Sequence, residues 1–194
     1  LGGLHTGVCL LAPLLIAVIA SRLTEIERAG NGWLLYAASG TTPGQLCRAK
    51  FLALGAPLAA VCVLWGLCVP VWGALLGVPA PVPTGRIVVY TASVCVINLV
   101  ILALQLLISL ASDNQLLAVG AGMLGVLLSM IGAMAPTWAQ YLTPWTYYSL
   151  VAPMTFTGVD PVYLDAPFPG ALVLAAAGAV AFTLITTRLD RKEV

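Results

Sequence analysis

The sequence predicts an all-α, polytopic helical membrane protein, and three observations carry that prediction. The 194-residue chain is 61% hydrophobic and 8% charged, with a mean hydropathy of +1.04, whereas a soluble domain holds about 25% charged residues. Residues 51–85, 87–112, 114–159 and 166–187 carry no formal charge, and about 20 apolar residues suffice to cross a bilayer as a helix. Seven of the eight basic residues fall in just two stretches of the chain, the pattern of loops held on one side of a membrane. A net charge of +1 without a basic cluster gives no footprint for nucleic acid.

Five spans follow in order, within a single transmembrane domain over 1–194. The first covers about 3–21. The second covers about 49–77 and is expected to bend or break at Pro57 and Pro70, because proline removes a backbone donor and clashes with the preceding turn. The third covers about 87–111, the fourth about 116–135 and the fifth about 169–187. Ser112-Asp113-Asn114-Gln115 is a polar turn between spans three and four, and Pro79, Pro81 and Pro83 keep the link Pro79 to Arg86 out of a helix. The chain starts at Leu1, with neither a basic n-region nor a small-residue cleavage site, so a start further upstream with one more span is expected. Five cysteines sit mostly mid-span without a Cys-x-x-Cys pair, which reads as small apolar packing residues and gives no metal site.

Orientation follows from the basic residues. Arg22, Arg28, Arg48 and Lys50 lie in the first loop, and Arg188, Arg191 and Lys192 follow the last span. Five spans put both regions on one face, expected to be cytoplasmic, with Arg86 opposite. Residues 136–168, on the other face, hold eight of the fifteen aromatics, interrupted by six prolines up to Pro169. Short helices or re-entrant pieces are expected there, acting as an interfacial anchor or as a gate.

Thr24 to Lys50 is a charged island holding Glu25, Glu27, Arg28, Arg48 and Lys50. Thr24-Glu25-Ile26-Glu27 has the form of a capping box. Ile26, Ala29, Trp33 and Ala37 then recur at helical spacing. An amphipathic cytoplasmic helix over about 24–38 is therefore expected, ended by Gly40, Pro43 and Gly44. Such a helix either rests on the headgroups or docks a partner.

Glu27-Arg28-Ala29-Gly30-Asn31-Gly32-Trp33-Leu34-Leu35, with Arg48-Ala49-Lys50 downstream, resembles the cytoplasmic signature of ABC type-2 transporter permeases. The likeness is greatest to the branch linked to lantibiotic and bacitracin protection. It extends to Ser112–Met130 and to Pro144-Trp145-Thr146-Tyr147-Tyr148. The family carries proline where this chain has Gly40. The resemblance implies a six-span exporter permease, five of whose spans lie in this chain. It also implies a coupling helix bearing Glu25, Glu27, Arg28 and Trp33 that docks into an ATP-binding cassette subunit. ATP and magnesium would be bound by that partner, and a second permease chain, identical or related, would complete the assembly in a plasma membrane.

The residues agree with a separate energy source. Lys50 and Lys192 are the only lysines, and neither sits in a phosphate-binding loop. All seven acids lie in loops, turns or the tail, whereas proton coupling needs a carboxylate within a span. One histidine and no intramembrane carboxylate leave no catalytic constellation. Thr91, Asn98, Gln105 and Ser112 recur every seven residues, forming one polar stripe that either lines a translocation path or joins helices by hydrogen bonds. Ala121, Gly125, Ser129 and Ala133 form a small-residue ladder in span four. The expected function is export of an amphipathic compound, such as a peptide antibiotic, a drug or a lipid-like molecule. A membrane assembly or sensor subunit, or an ATP-independent channel or carrier, is the alternative.

Overall fold

The computed structural model describes residues 2–30, 32–77, 84–112, 114–157, 160–163 and 168–191, without the side chains of 33, 34, 37, 155–157 and 160–163. Five long helices make up most of it: α1 (Gly2–Ala29), α3 (Pro43–Leu75), α4 (Thr84–Ala111), α5 (Gln115–Gly132) and α8 (Phe168–Arg191). All five are long and apolar enough to cross a membrane. The chain is an all-α, multi-pass membrane protein. Short pieces fill the turns: α2 (Gly32–Ala38), α6 (Thr137–Gln140), α7 (Tyr147–Leu150) and an antiparallel ribbon of β1 (Met154–Thr157) with β2 (Asp160–Tyr163).

Helix α4 is central, packing against α1, α3, α5 and α8. One core cluster draws Ile16 and Ala20 of α1, Cys47 of α3, Ile97 and Leu106 of α4, Tyr148 of α7 and Phe182 of α8 together. The outward faces are as apolar as the core. Leu11, Leu15, Leu64, Leu67, Leu127 and Val173 all lie more than half exposed, a surface that suits lipid and would aggregate in water.

Helices α1 and α3 depart most from their expected bounds. The sequence predicts that the first span stops near residue 21 and that Thr24 caps a new helix. Instead α1 runs on to Ala29, and Thr24 is buried with its hydroxyl bonded back to Ala20 O at 3.1 Å. The break comes at Gly30, and only Gly32–Ala38 forms a separate helix. That helix ends as expected at Gly40, which takes φ +73° while Thr41 N–H bonds Tyr36 O at 3.0 Å, a left-handed close open to glycine and closed to proline.

Helix α3 starts at Pro43 rather than near 49. Thr42 caps it, accepting from Gln45 N–H at 3.3 Å while Gln45 Oε1 accepts from Thr42 N–H at 3.2 Å, with Pro43 at the first position. It runs 33 residues through both Pro57 and Pro70 without a break. The ladder of α5 is also displaced. Its buried face is Ala118, Gly122, Gly125, Ser129 and Gly132, while Ala133 is exposed. Steps of four drift around a 3.6-residue helix, and alternating steps of three and four hold one face. The link prolines 79, 81 and 83, Asp113 of the polar turn and Lys192 lie outside the described residues.

Candidate functional site

The ends of α1, α4 and α8 and the start of α3 meet at one face, which carries Arg22, Arg28, Arg48, Lys50, Arg188 and Arg191. The expected coupling residues divide there. Glu25 pairs with Arg22 at 2.9 Å on the surface. Glu27 turns inward to an ion pair with Lys50 of α3, whose side chain is 5% exposed. Arg28 donates from Nη1 to Ser112 O at 2.6 Å, and from Nη2 to Ser109 O and Leu110 O at 3.2 Å. Its guanidinium thus satisfies the carbonyls that a helix end leaves open. Trp33 belongs to α2, and its side chain lies outside the described residues.

Two residues therefore pin the end of α1 to its neighbours. The running of α1 past Arg22 is what makes this possible, because each further turn carries a side chain about 5.4 Å along. The outward surface of the same turn belongs to α2, where Leu35 is 72% exposed.

The polar stripe of α4 reaches several neighbouring helices in turn. Asn98 accepts a hydrogen bond from Tyr148 of α7 and donates from Nδ2 to Cys62 Sγ of α3 at 3.5 Å. Gln105 bridges one rung of α5, donating to Ala118 O and accepting from Gly122 N–H, both at 3.2 Å. Ser112 gives its carbonyl to Arg28. Thr91 packs on α3 at Gly66, where a Cβ would come within 2.5 Å of its hydroxyl. These contacts join helices, as polar groups in spans commonly do.

Thr91 and Asn98 also border a groove of about 570 Å³. Its sides are Leu11 and Leu15 of α1 and Leu58 and Trp65 of α3, and α4 forms its back. The walls are almost wholly apolar, with volume enough for a drug-sized or lipid-like molecule.

The aromatic region on the opposite face divides between anchoring and filling. Trp138 and Leu142 are each 70% exposed, whereas Trp145, Tyr147 and Tyr148 are buried. Tyr141 stands edge-on to Tyr147, their centroids 5.5 Å apart. Trp145 packs against Gly125, where a Cβ would meet its indole nitrogen at 2.2 Å. The segment closes the end of the bundle above Asn98. Nearby, His5 of α1 bonds Tyr90 of α4 at 2.9 Å through Nδ1.

The inward roles of Tyr148, Tyr90 and Lys50 were not read from the sequence. Their partners lie 50, 85 and 23 residues away, and no local pattern encodes such pairings. No family model, curated protein or solved structure matches the chain.

Proposed function

We propose that this chain is the permease subunit of an ATP-driven exporter of the ABC type-2 kind, moving an amphipathic compound across a plasma membrane. The partners would be two ATP-binding subunits, which bind ATP and magnesium, and a second permease chain. The carrying observation is the elbow α1–α2–α3, in which a short surface helix lies between two spans tied together by Glu27 and Lys50. A push on α2 would reach α1 and α3 through that pair and α4 through Arg28. Helices α1 and α3 are also the two sides of the apolar groove, so movement at the elbow would change its width. Glu27 and Arg28 then act as transmitters, and exposed groups of α2, Leu35 among them, act as the contact surface.

The test is purification of the full chain in mild detergent, followed by mass identification of partners and an ATPase assay. A stoichiometric ATP-binding partner with vanadate-sensitive turnover is expected. Leu35→Glu should lower both recovery and turnover about tenfold, the effect of roughly 1.4 kcal/mol at one contact, without changing thermal stability. A chain that purifies alone, or a variant indistinguishable from the parent, returns the assignment to an assembly subunit or an ATP-independent channel.

A further inference from the structure

We propose that a second groove, bounded by α3, α4 and α8, is a binding site for one anionic phospholipid, with Arg48 receiving the headgroup. The groove encloses about 410 Å³ and begins at Arg48 and Thr183, near the basic face. Its walls include Phe51, Val100, Ala179 and Phe182. The two phenyl rings, 5.1 Å apart, close one side by joining α3 to α8.

Length identifies the occupant. The groove follows α8 from Thr183 to Ala175, about 12 Å at 1.5 Å per residue. One leaflet of hydrocarbon is about 15 Å deep. The groove therefore accommodates most of one acyl chain, lying along the direction lipids already take.

Charge identifies the headgroup. Arg48 Nη2 meets Asp190 Oδ2 at 2.8 Å, and the Arg48 side chain remains 36% exposed. A guanidinium has five donors, so one carboxylate contact leaves a fork suited to phosphate oxygens. Among the described residues, this face carries six basic side chains against Glu25, Glu27 and Asp190. That excess attracts anionic lipid over zwitterionic lipid. Such a site requires only that the chain sits in a bilayer, so it stands apart from the exporter reading.

Native mass spectrometry of the full chain with equal phosphatidylglycerol and phosphatidylcholine tests it. One phosphatidylglycerol per chain should be retained, about fivefold over phosphatidylcholine, as one basic contact near a charged headgroup supplies. Arg48→Gln should abolish that preference, and Ala179→Phe should displace both lipids. Asp190→Asn removes the competing carboxylate and should hold or raise phosphatidylglycerol retention. Equal retention of the two lipids by the parent chain overturns the proposal. So does a joint loss in Arg48→Gln and Asp190→Asn, which would make the ion pair a structural tie only. A chain that keeps no lipid, but forms dimers broken by Ala179→Phe, would assign the groove to a second copy.

Discussion

Lys50 is buried near the start of α3, opposite Glu27. Removing one member of a buried pair leaves the charge of the other less compensated, at a cost near 3 kcal/mol, whereas replacing both with apolar groups restores most of it. Glu27→Gln should therefore lower unfolding stability by about 3 kcal/mol, and Glu27→Leu with Lys50→Leu should recover most of the loss. Denaturant titration in detergent checks both, and additive losses would deny the pairing. Asn98 makes a second testable tie, since Leu there removes the partner of the Tyr148 hydroxyl and one contact of the Cys62 thiol. Asn98→Leu should cost about 1 kcal/mol and impair helix assembly. A fully stable variant with altered cargo preference would instead restore the stripe as a path. The sequence announced the polar stripe through its spacing of seven. It could not announce which helix each member would meet, because that depends on how whole helices pack.

At the scale of elements, the capping box expected at Thr24 is not used, and a second one at Thr42 starts a helix instead. Thr24-x-x-Glu27 fits the pattern, but its helix continues because Thr24 bonds back to Ala20 O and Glu27 finds Lys50. Thr42-x-x-Gln45 starts α3, helped by Pro43. Tertiary contacts decide between equal local signals. Gly44, just inside that cap, marks a close approach of α3 to α8. A Cβ there would lie 2.1 Å from Thr186 O and 2.3 Å from Asp190 Oδ1. Backbone cannot yield as a side chain does, so Gly44→Ala should cost about 2 kcal/mol despite its better helix propensity. Gly73→Ala, with nothing within 4 Å of its Cβ, is the matched control and should be neutral or slightly stabilising. Thermal unfolding of the two variants side by side separates crowding from propensity. The apolar runs made five helices legible, but the glycines alone did not distinguish these two positions.

For the molecule as a whole, the long helices, the basic face and the aromatic end were legible because each follows from composition along the chain. The groove was not, because it exists only where α1 and α3 stand apart in front of α4. Its walls are apolar, with Thr91 and Asn98 as the polar groups at its border, a lining that would suit an amphipathic molecule. If that space is the transport route, filling it should stop cargo without harming the fold. Gly7 permits this test, since it borders the groove and nothing lies within 4 Å of where its Cβ would stand. Gly7→Leu replaces a helix-weakening residue with a good helix former, so stability should hold or rise by up to about 1 kcal/mol. Binding of a fluorescent amphipathic probe, and cargo export in cells, should fall together by about tenfold, the loss of roughly 1.4 kcal/mol of contact. Export that persists while probe binding falls would place the route elsewhere, with the groove left as a lipid-facing cleft. Loss of both together with a fall in melting temperature would mean that α1 and α3 close on Gly7 in the working protein, so that the groove is one state of a moving pair of helices.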